Sequence, residues 1–295
     1  MARMKYVLYM WLALVGVVMA AEPVKVGSLH PLLSDMARRV GGEHVQVVDL
    51  FPPNAELHTF APSPREVAQA TGCRLVLACG KGIEPYLEDL REALGAARTR
   101  VLELGAAVPE VMLPGSRVPD PHWWNAPENM KLAALALAAA LKHEAPAAAA
   151  PELDAACRAY ADAMDALTRR AKLELARIPA AQRALVSAHA AMCHFCAAFR
   201  LEPIAVQGVA KESEGDVAHL AQLLAELRRR KVRCLFTEMK DSPKYLENIA
   251  RQLGAELRPL VMDGAAPGMA DYETIFLFNL NAVRAGLAPA PTPRP

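Results

Sequence analysis

A chain of 295 residues in which 53% of side chains are apolar and 22% charged is built to fold, and its length suits two domains better than one core. Its 33 Lys plus Arg stand against 32 Asp plus Glu, a formal charge of +1 that excludes the basic excess by which proteins hold nucleic acid or an anionic membrane. The six cysteines lie scattered among apolar neighbours and are expected to be mostly buried thiols, although an exported protein has the choice of disulfides.

Residues 1–21 carry Arg3 and Lys5, an apolar run and then the small Ala20 and Ala21, which reads as a secretory signal peptide cleaved near Ala20 or Ala21. The run is short for a spanning helix and passes at once into a strand pattern. Its removal leaves 31 Lys plus Arg against 32 Asp plus Glu, a net charge of −1. Cys73 is the first cysteine, so none stands near the cleavage point to carry a lipid. The expectation is an exported, periplasmic protein, monomeric and without nucleic acid.

The mature chain then alternates. Strands are expected at 24–28, 45–50, 74–78 and 101–104, with helices at 32–40, 64–70 and 85–94 between them. Strand followed by helix, repeated, means crossover units and a mainly parallel sheet covered on both faces. A helix at 127–141 follows. From 151 to 179, Leu153, Cys157, Tyr160, Met164, Leu167, Leu175 and Ile178 recur at helical spacing, Pro151 suits the first turn and Pro179 ends it. Such a helix runs roughly 40 Å, longer than one small lobe needs, and reads as a spine between two lobes.

Beyond it the alternation restarts, with strands at 184–188, 204–206, 232–237 and 256–261 and helices at 190–199, 216–230, 243–253 and 272–285. The organisation expected is therefore an N-terminal α/β lobe at 22–150, a single long connecting helix at 151–179 and a C-terminal α/β lobe at 180–287. The proline-rich 288–295 is expected to be a disordered tail.

Ligands of open parallel sheets bind beyond the carboxyl ends of the strands. His58 leaves that edge after the second strand, in Glu56-Leu57-His58, and His122 sits in Asp120-Pro121-His122-Trp123-Trp124, a loop stiffened by proline before the helix that Pro127 opens. In the second half, His189 follows Val186-Ser187-Ala188 at a strand end and Asp263 follows Leu260-Val261-Met262 at another. Each alone has a plain structural explanation, a capped turn or a buried imidazole; four placements on one edge point to a metal. Three imidazoles and a carboxylate suit Zn2+ and weigh against Mg2+ and Ca2+, while Mn2+ stays open. Glu56 and Glu238 also stand at strand ends, as candidates for orienting the imidazoles or as plain structural carboxylates.

These stretches resemble the zinc/manganese solute-binding proteins of ABC transporters, the TroA-like or cluster A-I family. The match runs through the His58 loop with Ser63-Pro64, then Val76-Leu77-Ala78-Cys79-Gly80-Lys81-Gly82-Ile83-Glu84-Pro85, Asp120-Pro121-His122-Trp123-Trp124, Val186-Ser187-Ala188-His189, Leu235-Phe236-Thr237-Glu238, and Tyr272 with Asn279 and Leu287. The resemblance implies His58, His122, His189 and Asp263 as ligands in a cleft between two lobes, no catalytic residue, and delivery of the metal to a membrane permease driven by a separate ATPase. A zinc hydrolase recruiting Glu238 as base and a metal-binding adhesin on the same scaffold are the alternatives. Against the former, the chain has no His-Glu-x-x-His helix, and Asp263 would close the coordination position that a catalytic zinc leaves open.

The chain departs from the family pattern in three places. Glu56-Leu57-His58 replaces the usual Asp-Pro-His, residues 105–119 lack the His- and acid-rich insert of many zinc-specific members, and Cys193, His194 and Cys196 stand where aromatic residues are usual. Reading 190–199 as helix puts Cys193 on the same face as His189, as an accessory soft ligand or a small buried thiol. A thioredoxin-like Cys193-x-x-Cys196 is the weaker reading, since that motif needs its first cysteine at a helix N-terminus.

Overall fold

The computed structural model describes residues 22–52, 55–95, 97–206, 217–239, 244–264, 266, 268–269 and 271–288, with the backbone alone at 217–220. The expected signal peptide, the tail from 289 on and the expected helix starts at Asp216 and Pro243 lie outside them.

The first lobe is built on β1 (Val24–Ser28), β2 (Val45–Asp49), β3 (Leu75–Ala78) and β4 (Arg100–Glu103), parallel throughout and ordered β2-β1-β3-β4. Every side chain of β3, Leu-Val-Leu-Ala, is buried, as an inner strand covered on both faces requires. The covering helices are α1 (Pro31–Gly41), α2 (Pro64–Thr71) and α3 (Leu87–Leu94). Their starts are written locally: Pro31 and Pro64 occupy first turns, and Ser63 with Glu66 forms a reciprocal capping box.

The second lobe repeats the plan. The strands β5 (Ala184–Ser187), β6 (Glu202–Ala205), β7 (Cys234–Glu238) and β8 (Glu256–Leu260) are parallel and ordered β6-β5-β7-β8. Around them lie α6 (Cys193–Phe199), α7 (Val217–Arg229), α8 (Lys244–Leu253) and α9 (Tyr272–Leu287). The repetition reaches single residues. Ser28 Oγ donates to the carbonyl of His30 (2.9 Å) at the end of β1, and Ser187 Oγ donates to that of His189 (2.8 Å) at the end of β5.

Between the lobes run α4 (Pro127–Glu144) and α5 (Ala150–Leu175). The 26 residues of α5 bury Leu153, Cys157, Tyr160, Met164, Leu167, Ala171 and Leu175 along one stripe, which packs on α4, α1 and α9. One apolar cluster thereby joins Val26 and Leu33 of the first lobe, Leu137 and Met164 of the spine, and Leu185, Phe236 and Val283 of the second.

Several helix boundaries differ from the sequence expectation, among them the start of α3 at Leu87 and the end of α4 at Glu144, and two differences have a visible cause. The spine ends at Leu175, short of Pro179, because proline disfavours helical backbone at the residue before it and Arg183 gathers the freed carbonyls. Its guanidinium donates to Leu175 O (3.1 Å), Ala176 O (3.2 Å) and Ile178 O (3.1 Å). The helix expected from 190 begins only at Cys193. The His189 carbonyl is taken by Ser187 Oγ and by Ala191 N–H (3.0 Å), which bends the chain at 188–190 and keeps 190–192 out of a helical turn. All six cysteines are buried and unpaired.

Candidate metal centre

Four polar side chains meet where the carboxyl ends of the two sheets face each other. His58 stands in the turn after β2, which closes through the Glu56 carbonyl accepting from Thr59 N–H (3.2 Å) and Phe60 N–H (2.8 Å). His122 begins the short 3₁₀ turn Trp123–Asn125 ahead of α4. His189 and Asp263 follow β5 and β8. One donor atom from each of the four lies within 4.8 Å of all the others. The Nε2 atoms of His58 and His122 are 3.2 Å apart, and Asp263 Oδ1 lies 3.7 Å from His58 Nε2, 3.8 Å from His122 Nε2 and 3.5 Å from His189 Nε2. A tetrahedron of ligands at ~2.05 Å from zinc has edges of ~3.3 Å, so the spacing fits one ion at the centre.

The electrostatics favour a cation there. His189 Nε2 and Asp263 Oδ1 are buried without a hydrogen-bond partner, a costly state for a carboxylate oxygen that a cation relieves. Burial opposes the charge on Asp263, yet the neighbouring His189 and His58 hold its pKa well below the usual carboxylate value. Burial lowers the pKa of His189 and favours the neutral ring a metal needs. At His122 burial also acts downward, but the bond to Asp120 outweighs it and the net shift is upward. The side chain of His122 is wholly buried, whereas that of His58 keeps 21% of its exposure and marks the solvent side of the site.

A second layer fixes these groups. Asp120 Oδ1 accepts from His122 Nδ1 (2.7 Å) and from its backbone N–H (2.9 Å), which sets the tautomer that leaves Nε2 free as a donor to metal. Trp124 Nε1 donates to Met262 O (2.9 Å), and Asn125 Nδ2 donates to Met262 O (3.1 Å) and Ala191 O (2.9 Å). The His122 turn is thus tied to the segments that carry Asp263 and His189. Asn279 grips both backbone groups of Val261 at 2.8 Å, and Glu238 Oε2 accepts from Met262 N–H (2.9 Å). That bond places Glu238 under the backbone leading to Asp263.

Gly264 has φ +74°, and a Cβ there would meet His30 Cε1 at 2.5 Å, so the turn after Asp263 needs glycine. His30 itself, wholly buried, caps α1 through Nδ1 and packs against Trp124 with ring centroids 4.6 Å apart and the planes tilted by 44°. Neither His30 nor Asp120 stood out as a site residue in the sequence. The signals were there, in His before the Pro of α1 and in Asp two residues before His122.

Cys193, Glu56 and Glu238 are not among the four converging donors. Cys193 does not share a helical face with His189, because 189–192 is not helical. Cys193 is the first residue of α6, where a thioredoxin-like motif would want it, but burial and Asp120 raise its thiol pKa to about 12, the reverse of an activated thiolate. A further group, Glu43, His44 and Glu152, has donor atoms equally close, but it is largely exposed and its His44 Nε2 already pairs with Glu152 (2.7 Å).

Among known proteins, residues 28–286 match the family described as ZnuA, zinc-uptake complex component A, periplasmic. The iron-binding protein YfeA of Yersinia pestis is 26% identical over 237 residues, covering 80% of this chain and 76% of its own. The manganese-binding lipoprotein MntA of Bacillus subtilis strain 168 is 23% identical over 284 residues, 91% of each chain. The periplasmic zinc-binding protein TroA of Treponema pallidum superposes with a TM-score of 0.80 at 22% identity, over 91% of this chain and 100% of that one. Those three names carry three different metals, so the likeness leaves the cargo to be argued from donor atoms.

Proposed function

The chain belongs to the ZnuA family of periplasmic metal-uptake components, which serve ABC transporters, and from that premise we propose that it captures one Zn2+ between its lobes through His58, His122, His189 and Asp263. The observation that carries this reading is the convergence of three imidazole nitrogens and one carboxylate oxygen within 4.8 Å. A nitrogen-rich set of four favours zinc over Mg2+ and Ca2+, and Mn2+ is the alternative cargo. Charge supports a divalent ion: the carboxylates of Asp120 and Asp263 lie in and behind the site and together balance two positive charges. A monovalent Cu+ would leave one of them uncompensated.

With Asp263 in the fourth position no open site is left for an attacking water, so the arrangement suits holding and not hydrolysis. The cargo passes to a membrane permease with its separate ATPase. The protein acts as an exported monomer, freed from a signal peptide near Ala20 or Ala21 and carrying no lipid, and it binds no nucleic acid.

The test is zinc competition against a chromophoric chelator with the metal-free protein and its His122→Ala and Asp263→Asn variants. Four ligands share the ~10–16 kcal/mol typical of a protein zinc site, so losing one costs ~3 kcal/mol, roughly 100-fold in affinity. Wild-type affinity in both variants would remove the assignment.

A further inference from the structure

Behind His122 lies a buried polar layer that neither lobe completes alone. Asp120 spends Oδ1 on the two N–H groups of His122, while its Oδ2 accepts from Cys193 N–H (3.0 Å) at the start of α6. Its carbonyl faces His194 Nε2 at 3.1 Å. On the other side of that ring, His194 Nδ1 faces Asn129 Nδ2 of α4 at 3.0 Å.

The directions of these bonds can be worked out. Asn129 Nδ2 also reaches Trp123 O (2.9 Å), a carbonyl that can only accept, so the amide is oriented with its N–H groups toward both neighbours. His194 Nδ1 must then be the acceptor and Nε2 must carry the proton given to Asp120. The ring is 3% exposed and has one tautomer and one orientation that satisfy both partners. A displacement of α6 would therefore draw on Asp120 at two points, through Cys193 N–H and through His194, and Asp120 holds the ring of His122.

We propose that His194 is a positioning residue that couples the C-terminal lobe to His122 through Asp120, so that the geometry of the metal site and the residence time of the metal depend on it. This rests on His122 being a ligand, as proposed above. His194 touches no metal donor directly; it acts by keeping the Asp120 carbonyl and the Asn129 amide paired inside the protein, where losing either partner leaves a polar group stranded.

The experiment uses the mature protein, Zn2+ and Co2+ as probes, and the variants His194→Phe, His194→Gln and His122→Ala. His194→Phe fills the space without either bond. In His194→Gln, Oε1 accepts from Asn129 and the amide N–H donates to Asp120. Zinc removal by excess chelator is followed by stopped flow, and the visible bands of the Co2+-loaded protein report coordination geometry. Partners behind a metal ligand are typically worth 10–100-fold, so His194→Phe is expected to release zinc at least ~10-fold faster with shifted Co2+ bands. His194→Gln is expected to restore both readouts to near wild type.

A release rate and Co2+ spectrum in His194→Phe that match wild type overturn the proposal, as does a failure of His194→Gln to improve on it. If that overturning comes while His122→Ala still loses zinc, the ligand set survives; unchanged binding in His122→Ala overturns both. Should His194→Phe not fold, Asn129→Leu removes the group that locks the ring and is expected to show the same acceleration and band shift, with wild-type behaviour again overturning the coupling.

Discussion

Histidines near the site differ in what their surroundings ask of them. His122 is tuned by a carboxylate, His189 by burial, and His30 is kept neutral altogether, its pKa lowered by burial from 6.5 to about 3. The consequence for His30 is a stability that depends on pH. Between pH 6.5 and about 3 the unfolded chain takes up a proton at His30 that the folded protein refuses. Folding stability contributed by this residue is therefore complete above pH 6.5 and is lost as pH falls, at up to ~1.4 kcal/mol per pH unit. His30→Asn keeps a capping side chain for α1 and removes the titration. Its metal-free form should show a flatter loss of urea midpoint from pH 6.5 to 4 than wild type; parallel curves would mean that His30 is protonated in the folded state.

At the scale of elements, what could be read from the chain was whatever a short stretch decides for itself. A short apolar run such as Leu75-Val76-Leu77-Ala78, bounded by turns, suits a strand covered on both faces, and Pro31, Pro64 and Pro127 mark helix starts by their own backbone restriction. The four converging donors were legible for the same reason, since each follows a strand or a proline-stiffened loop. His194 and the link from Asp120 to Cys193 were not, because each joins residues that only the fold brings near, and Arg183 was not because its bonds to carbonyls 5 to 17 residues away follow no helical or strand period. Asp120 and His194 are 74 residues apart in the chain. The start of α6 was misplaced because the His189 carbonyl is claimed by Ser187 Oγ, a contact that no helical periodicity reveals. Arg183 gives a direct test of such a bond. It bonds the last carbonyls of the spine and the Arg200 carbonyl that follows α6 (3.2 Å). Arg183→Ala should lower stability by about 1–3 kcal/mol, measured by denaturant midpoint, with zinc affinity unchanged. A change below a few tenths of a kcal/mol would mean that water replaces the cap.

Across the whole molecule, a single apolar cluster runs from one sheet through the spine to the other, and polar bonds from Trp124, Asn125 and Asp120 cross between the lobes. A continuous helix in such a core resists the backbone changes that a loop hinge absorbs, so capture and release call for small shifts at the lobe interface. The lobes should unfold together, in one transition with or without metal. Zinc free at ~1,000 times its Kd should add ~4 kcal/mol to that transition, because it binds only where both lobes are folded. Two separated transitions, with only one raised by zinc, would place the metal within a single lobe.

On the proposed ligand set, both lobes give nitrogen donors, and the second adds one oxygen, to a single ion. X-ray absorption at the zinc edge of protein loaded with one equivalent tests it most directly. The expected spectrum has four ligands at ~2.0–2.1 Å, three of them showing imidazole multiple scattering, and no sulfur shell. A sulfur at ~2.3 Å would bring Cys193 or another thiol into the site, and either that or fewer than three imidazoles would contradict the donor set of His58, His122, His189 and Asp263.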